Sequence, residues 1–327
     1  MSPAVAVPLF LVSLAVTLAA ARLFARRLDR LGVRFGFPEA LIGLLTALAA
    51  DGPEISSALF ALAKGAHDVG VGVLVGSNGF NLAAMIGLSA LLAGRVRLAR
   101  ETLLFEGLVG LMITLLASAL LLGWLSPPGA NVLSALIVVP YLAIVIAGPR
   151  FRGAHLKRLS RALHEHAPAE RPSDTSSNPT HHLLALIVVD LILIVAGSAG
   201  MVEAALSLAG DWHIPNAVLG VLILGPLTSI PNALTAIRLG LAGRGAALVG
   251  ETFNSNTINL GFGVIVPSLF VTFAAITTLG KLQLGWLIGA TLVTLAGLAQ
   301  PSGMRRTEAA VLVILYFALV AGTLVGS

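Results

Sequence analysis

Ten long apolar runs make up most of this 327-residue chain. They lie at residues 4–24, 37–63, 69–93, 102–124, 131–148, 183–209, 214–239, 246–273, 282–299 and 308–326. Most of them approach the roughly 20 residues that an α-helix needs to cross a bilayer. Only 11% of the residues are charged, whereas soluble domains contain about 25%. The sequence therefore predicts an all-α membrane protein with ten transmembrane helices.

The lysine and arginine residues are distributed unevenly between the two sides of these predicted helices. Of the 20 such residues, all but Lys64 and Lys281 follow odd-numbered helices. Because cytoplasmic loops of membrane proteins are rich in Lys and Arg, this pattern places both termini outside. The net charge of +5 is thus assigned to short cytoplasmic loops and not to a nucleic-acid-binding face. The preference for Arg over Lys is typical of GC-rich bacteria and favours a bacterial inner (plasma) membrane.

The two halves of the chain contain an ungapped internal repeat with an offset of 178 residues. Identical polar or conformationally special residues are Pro53 and Pro231, Gly65 and Gly243, Gly72 and Gly250, Ser77 and Ser255, Asn78 and Asn256, and Asn81 and Asn259. Such a set indicates duplication, since chance agreement would mostly match aliphatic residues. The copies begin in the second and seventh predicted helices, which run in opposite directions. We therefore predict two inverted five-helix repeats, 1–148 and 183–327, joined by a cytoplasmic basic linker, 149–182.

Each copy of the repeat contains a proline in the middle of a predicted helix, Pro53 or Pro231. Proline removes one backbone hydrogen bond and predicts a break in the helix. In the first copy, Asp51 and Glu54 lie three residues apart and so share one helix face. Ionisable groups inside a bilayer are costly and usually functional, and the nearest basic residue is Lys64 at the end of the same run. Inverted repeats with broken helices are typical of transporters, so a cation or shared protons should compensate the two carboxylates.

A short polar stripe follows in each copy of the repeat. The stripes consist of Ser77, Asn78 and Asn81 in the first half and of Ser255, Asn256 and Asn259 in the second. With two carboxylates, these hydroxyl and amide oxygens resemble the all-oxygen shell of Ca²⁺. Alternatively, Ser and Asn join membrane helices by hydrogen bonds without binding an ion. Matched stripes opposite a carboxylate pair favour the ion site, and the lack of cysteine excludes a thiolate site.

The strings GVLVGSNGFN, from Gly72, and GETFNSNTIN, from Gly250, combine with the two proline segments into a recognisable pattern. This pattern resembles the cation/calcium exchanger superfamily, which includes the sodium/calcium exchangers. The resemblance implies the fold of that family and exchange by alternating access. It implies side-chain ligands at Asp51, Glu54, Ser77, Asn81, Ser229, Asn232, Ser255 and Asn259, and carbonyl ligands at Ala47, Ala50, Gly225 and Thr228. With Asn78 and Asn256 of the stripes, these residues form the predicted cation site.

Three positions depart from the pattern of that superfamily. Asn232 stands where a second glutamate is expected, and Asp51 stands where a serine is expected. Asn254 occupies the place that Gly76 has in the first repeat. Both carboxylates therefore belong to one half of the chain. Two carboxylates this close do not both ionise readily without a cation, which favours coupling to protons as well as to metal.

Three further acidic residues lie in or near the predicted helices. Glu251, one turn before Ser255, is a candidate proton relay or third ligand; alternatively, it stabilises the start of its helix and reaches water. Glu39 and Glu106 lie near the ends of predicted helices. We expect these two to be solvated.

The leading hypothesis is a secondary active antiporter that exchanges Ca²⁺, or a related divalent cation, for Na⁺ and/or H⁺. A proton-coupled exchanger of Na⁺ or K⁺ is the alternative, because the second glutamate is missing. A cation channel and a transport-inactive scaffold are alternatives from other classes. An intramembrane aspartyl hydrolase is disfavoured, because such enzymes normally take their two carboxylates from different helices, whereas Asp51 and Glu54 share one predicted helix. We expect no enzyme activity, no cofactor apart from the transported cations, and membrane lipid as the surroundings. The sequence is compatible with a monomer but does not decide the oligomeric state.

Overall fold

The computed structural model describes residues 1–37, 39–147 and 179–327, and in these residues it is helical apart from one short strand pair. The helices are α1 (Pro3–Arg34), α2 (Glu39–Ala50), α3 (Gly52–Ala63), α4 (His67–Ala93), α5 (Arg100–Leu121), α6 (Pro127–Ala147), α7 (Thr180–Asp211), α8 (Asn216–Leu241), α9 (Gly245–Leu260), α10 (Thr278–Leu298) and α11 (Arg306–Gly326). Eight helices in the described part, all except α2, α3 and α9, are long and apolar enough to cross a membrane.

The other two predicted spans correspond to interrupted helical segments. Residues 37–63 form α2 and α3, which are separated at Asp51. Residues 246–273 form α9, followed by a π-helical turn, Gly261–Ile265, and a 3-10 turn, Pro267–Leu269. The count of ten spans thus stays a prediction. The predicted linker lies outside the described residues as far as residue 178, and α7 begins at Thr180.

The break predicted at Pro53 is confirmed. Helix α2 ends at Ala50, Asp51 has φ −82° and ψ 0°, and α3 begins at Gly52. Pro53 therefore lies in the first turn of a new helix, where a missing backbone N–H leaves no hydrogen bond unmade. The carboxylate of Asp51 consequently stands at a helix junction in the interior of the protein.

The break predicted at Pro231 is wrong. The α-helical part of α8 runs from Gly225 to Leu241 through Pro231 without interruption. The irregular backbone lies earlier in the same helix, as a π-helical turn over Leu219–Leu224. Membrane helices tolerate an internal proline when their surroundings satisfy the freed carbonyl. Around the two prolines the copies of the repeat therefore differ in where the backbone departs from α-helical geometry, whereas after the polar stripes both have a π-helical stretch, Asn81–Leu88 within α4 and Gly261–Ile265 after α9.

Helix α4 is central to the structure. In its most apolar 18-residue window 89% of the residues are buried, compared with 17% in α6 and 28% in α1. Its backbone lies directly against α8, since a Cβ atom added to Gly76 would lie 2.3 Å from the carbonyl oxygen of Val221. The outer helices expose large apolar side chains such as Leu136 and Ile192, as lipid-facing helices do. Residues on α4 are thus shielded from lipid.

One short strand pair ties two loops together at an end of the helical body. Strand β1, Arg95–Val96, follows α4 and pairs antiparallel with β2, Met304–Arg305, which precedes α11. The pair joins a loop of the first half to a loop of the second half. These loops carry arginines that the sequence assigns to the cytoplasmic side.

Candidate cation-binding site

The carboxylates of the first half lie at the interruption between α2 and α3. Asp51 is the junction residue and Glu54 lies in the first turn of α3. Both side chains are 0% exposed. The N-terminus of a helix carries a partial positive charge, so α3 stabilises negative charge at these positions.

Helix α8 provides one hydrogen-bond donor to each carboxylate. The hydroxyl of Ser229 donates to Oε1 of Glu54 at 2.9 Å. The amide nitrogen of Asn232 donates to Oδ1 of Asp51 at 2.9 Å. Asn232 therefore contributes a neutral donor at the position where the sequence pattern led us to expect a carboxylate.

Helix α9 provides a second donor to Asp51. The hydroxyl of Ser255 donates to Oδ1 of Asp51 at 2.7 Å. The amide nitrogen of Asn81, on α4, lies 3.0 Å from the Ser255 hydroxyl oxygen and 3.1 Å from Oδ1 of Asn256, and it donates to both. The first carboxylate is thus connected to the polar stripes of both halves.

The two stripes bind each other reciprocally through their asparagines. Asn78 Nδ2 donates to the carbonyl oxygen of Asn256 at 3.2 Å, and Asn256 Nδ2 donates to that of Asn78 at 3.3 Å. Asn81 Nδ2 donates to Asn256 Oδ1, and Asn259 Nδ2 donates to Asn78 Oδ1, both at 3.1 Å. Each bond has a counterpart at the repeat offset of 178 residues. The stripes therefore meet with local two-fold symmetry.

Apart from Ala47, Ala50 and Gly225, which were predicted to bind only through their carbonyls, the predicted site has eleven residues, and nine of them take part in these contacts. The hydroxyls of the other two, Ser77 and Thr228, bond to carbonyl oxygens of their own helices: Ser77 to Leu74, and Thr228 to Leu224 and Gly225. None of the eleven is more than 6% exposed. The predicted residues therefore converge in a site closed to solvent.

Four oxygen atoms of this network accept no hydrogen bond from any described residue. They are Oδ2 of Asp51, Oε2 of Glu54 and the Oδ1 atoms of Asn81 and Asn259. The ion pairs found among the described residues, Arg27 with Asp190 and Lys64 with Glu203, lie elsewhere. Buried acceptors without donors are unfavourable, and oxygen atoms of this kind are the ligands that hard cations such as Ca²⁺ take. The described residues contain no cluster of three His, Cys, Asp or Glu side chains suited to a metal, so neutral oxygens would supply most ligands.

Two of the four predicted carbonyl ligands already accept hydrogen bonds. The carbonyl of Ala47 accepts the backbone N–H of Asp51 at 3.0 Å, and that of Gly225 accepts the hydroxyl of Thr228 at 3.0 Å. A carbonyl oxygen has two lone pairs, so the Ala47 carbonyl keeps one for a cation, whereas the Gly225 carbonyl also lies in the acceptor position of the α-helical hydrogen bond from Ser229. Ala50, the third, is the last residue of α2, where helix carbonyls lack intrahelical partners.

The remaining acidic residues differ from expectation. Glu251 is half-buried and close enough to Asp51 for the two carboxylates to repel each other. Glu106 was expected in solvent, but it is 4% exposed, and its Oε2 lies 3.0 Å from the hydroxyl of Tyr141. Sequence reasoning missed Tyr141, whose only signal was one polar ring within an apolar run. The side chain of Glu39 is outside what the structure describes.

Long apolar helices around an enclosed polar network are the features of a helical membrane protein with an internal polar site, and comparison with known proteins gives its family. The chain belongs to the sodium/calcium exchanger protein family, whose model matches residues 5–148 and 182–325. It is accordingly a transporter and not an enzyme.

Relatives and solved structures agree with this family. The protein named antiporter CaxA, from Alkalimonas amylolytica, is 28% identical over 242 residues, 72% of each chain. Inner membrane protein YrbG of Escherichia coli is 27% identical over 237 residues, 72% of this chain and 70% of that one. A structure of the sodium-calcium exchanger NCX_Mj matches with a TM-score of 0.59 and 20% identity over 98% of this chain and 99% of that one. The structure of YfkE matches with a TM-score of 0.65 and 17% identity over 96% and 91%.

Proposed function

We propose that the protein is a secondary active antiporter that exchanges Ca²⁺, or a related divalent cation, for Na⁺ and/or H⁺ by alternating access. The cation site consists of Asp51, Glu54, Ser77, Asn78, Asn81, Thr228, Ser229, Asn232, Ser255, Asn256 and Asn259. The proposal depends mainly on one observation: within one hydrogen-bonded cluster of side chains, buried oxygens of both halves, two of them from carboxylates, accept no hydrogen bond from a described residue. Ca²⁺ binds six to eight oxygens of this kind.

The proposed architecture has ten membrane spans as two inverted five-helix repeats, 1–148 and 183–327. The reciprocal asparagine bonds at an offset of 178 residues support the repeat, and the two stretches matched by the family model are compatible with this division. The distribution of Arg and Lys favours outside termini and a cytoplasmic linker at 149–182. We place the chain in a bacterial inner membrane, surrounded by lipid, and a monomer contains every proposed ligand.

Obligatory exchange follows from the charge of the site. Two ionised carboxylates buried without a cation are strongly unfavourable inside a membrane. The site can therefore change its side of access only when a divalent cation, Na⁺ ions or protons neutralise Asp51 and Glu54. An ion delivered to one side must then be replaced by another before the site returns. Because every proposed ligand is buried, opening toward either side requires helices to move.

A second candidate is proton-coupled exchange of monovalent Na⁺ or K⁺. The observation that favours it is the hydrogen bond from Asn232 to Asp51, because an amide adds no negative charge to the second half of the site. A single proton shared by the two carboxylates would leave one negative charge, which matches a monovalent cation.

Flux measurements with purified protein in liposomes separate these functions. Radiolabelled Ca²⁺ is offered outside while an outward gradient of Na⁺ or of H⁺ is imposed. We expect Ca²⁺ accumulation that requires one of the gradients and is lost when an ionophore collapses it. Na⁺ or K⁺ flux driven by a pH gradient, without Ca²⁺ flux, would establish the second candidate. Ca²⁺ flux that ignores the counter-ion indicates a channel, and absence of all flux indicates a scaffold.

A further inference from the structure

A second buried carboxyl lies outside the cation site, at the contact of α5, α6 and α9. Glu106, on α5, and Tyr141, on α6, are 4% and 6% exposed. The ring of Tyr141 stacks on Phe105 with centroids 5.0 Å apart. Tyr141 is thereby held in place, with its hydroxyl between Glu106 and Asn254 of α9.

The surroundings of Glu106 provide no cation among the described residues. On its own helix, Arg100 and Glu101 are exposed near the first turn, at least about 7 Å along the axis. Tyr141 is the only titratable residue of α6, and Gly261–Ile265 contains none. On α10, Leu295 contacts Gly107, the neighbour of Glu106. Lys281, the titratable residue of α10, lies about 21 Å from Leu295 along the helix axis and is therefore too far away to pair with Glu106.

The titratable residue of α9 is Glu251, and Arg244 directly precedes this helix. Arg244 has interactions of its own, and Glu251 adds negative charge rather than compensating it. The ion pairs of Arg27 with Asp190 and of Lys64 with Glu203 do not involve Glu106. A buried carboxylate without a charged partner is strongly unfavourable, so this environment favours a carboxyl that carries its proton.

The contacts of Tyr141 are compatible with a protonated Glu106. The Tyr141 hydroxyl oxygen lies 2.7 Å from Oδ1 of Asn254 and 3.0 Å from Oε2 of Glu106. The hydroxyl has one proton, and an amide oxygen cannot donate, so Tyr141 donates to one of these two neighbours at a time. When it donates to Asn254, the carboxyl of Glu106 carries the proton of the second contact. When the carboxyl is ionised, Tyr141 donates to Glu106.

We propose that Glu106 is a regulatory proton-binding site, linked to the cation site through Tyr141 and Asn254. When Glu106 loses its proton, the Tyr141 hydroxyl turns to the carboxylate, and Asn254 must rotate its amide to donate or lose its partner. Asn254 directly precedes Ser255, which donates to Asp51. An ionised Glu106 also adds negative potential near a cation site. Proton binding at Glu106 and cation binding therefore oppose each other, and by linkage each weakens the other.

This proposal rests on the exchanger function for its link to cations, and two measurements test it separately. The first is the infrared C=O stretch of protonated carboxyl groups, recorded without any cation or transport. We expect the wild-type spectrum to contain a band that Glu106→Gln removes and that the matched control Glu101→Gln, an exposed carboxylate on the same helix, leaves unchanged. A spectrum that Glu106→Gln does not alter would overturn the proposal, whether or not the protein transports Ca²⁺.

The second measurement is the pH dependence of Ca²⁺ affinity. The glutamine of Glu106→Gln is neutral at every pH, so we expect about fivefold weaker binding than in wild type at high pH, the low end of typical coupling between sites, and equal binding at low pH. Tyr141→Phe keeps the stacked ring and the Glu106 carboxyl but cuts the relay, so it should flatten the profile in part while the infrared band remains. Profiles of both variants identical to wild type would refute the link. If the wild-type protein bound no Ca²⁺ at any pH, that result would instead refute the proposed function.

Discussion

The two copies of the repeat contribute opposite chemistry at equivalent positions of the cation site. The first half supplies carboxylates at Asp51 and Glu54, and the second supplies a hydroxyl and an amide at the aligned Ser229 and Asn232. The contacts nevertheless follow the repeat. Asp51 bonds to Asn232, and Ser229, which is aligned with Asp51, bonds to Glu54, which is aligned with Asn232. In one contact the second half donates to a glutamate, and in the other it donates to an aspartate.

This comparison separates geometry from charge. The reciprocal asparagine bonds preserve two-fold symmetry between the neutral stripes. The symmetry is lost at the acids and at the stripe serines, since Ser255 donates to Asp51 whereas Ser77 donates to a carbonyl of its own helix. In each carboxylate one oxygen accepts a hydrogen bond from α8, and the other accepts none from a described residue. A duplicated backbone can therefore place both charges in one half without changing which residues meet.

A second aligned pair, Gly76 and Asn254, shows a difference in packing. At Gly76 the backbone of α4 meets that of α8, and a Cβ there would lie 2.3 Å from the Val221 carbonyl oxygen. At Asn254 the side chain instead accepts a hydrogen bond from Tyr141 at 2.7 Å. The same repeat position thus closes a helix contact in one half and receives a polar connection in the other.

The largest expected effect is that of Glu54→Gln, which removes one charge from the half that supplies both. Loss of a charged interaction of about 3 kcal/mol reduces Ca²⁺ uptake by about 100-fold or more. The measurement is gradient-driven uptake into liposomes. Glu203→Gln is the matched control, because Glu203 is half-exposed and pairs with Lys64 at 2.7 Å; it should stay near the wild-type rate. Normal uptake in Glu54→Gln would contradict the site assignment.

Exchanging the chemistry of the halves tests the asymmetry directly. Asp51→Ser alone should lower uptake about as strongly as Glu54→Gln, because it also removes one charge. Asn232→Glu alone places a third carboxylate in the site. The double variant returns one carboxylate to each half with a hydroxyl opposite it, so the two changes should be strongly non-additive. We expect uptake by the double variant within about tenfold of wild type; uptake no better than Asp51→Ser would show that the location of the acid matters in itself.

A packing change should distinguish Gly76 from Asn254. Gly76→Ala forces apart the backbones of α4 and α8 and should destabilise the protein by about 1–3 kcal/mol. Asn254→Ala loses one hydrogen bond and should cost about 1 kcal/mol. Thermal unfolding in detergent measures both. Gly285→Ala is the control, since no atom lies within 4 Å of a Cβ added there, and equal stability of Gly76→Ala and this control would contradict the close approach.

The smallest expected difference concerns the symmetric part of the site. Asn78→Ala and Asn256→Ala each remove one donor and one acceptor of the reciprocal set. Their free energies of unfolding should therefore agree within about 0.5 kcal/mol, with a loss of about 1–3 kcal/mol each. The double variant should lose less than the sum of the two, because the residues share partners. Clearly unequal losses of unfolding free energy in Asn78→Ala and Asn256→Ala would show that the symmetric hydrogen bonds do not contribute equally to stability.

Much of the candidate site could be predicted from sequence, because the features that indicate it are short motifs at fixed spacings along the chain. The offset of 178 residues paired the asparagine stripes, and the lack of nearby basic residues identified Asp51 and Glu54 as charges in need of a cation. The break at Pro53 was predicted correctly from a single proline. The identical reasoning failed at Pro231, because the surroundings of a proline decide whether a membrane helix breaks or continues.

Glu106 illustrates the other limit. Its place near the start of an apolar run predicted solvation, yet α6 and α9 cover it. Hydropathy along one helix determines that the helix enters a membrane, since it sums local transfer free energies over some 20 residues. It contains no information on which distant helix packs over a given turn. The amino-acid sequence by itself thus determined that the chain is a helical membrane protein, and it predicted the duplication and a set of candidate ligands. Only the tertiary structure decided which donor meets which acceptor and which carboxyl is enclosed, because those contacts join residues more than 30 positions apart in the chain.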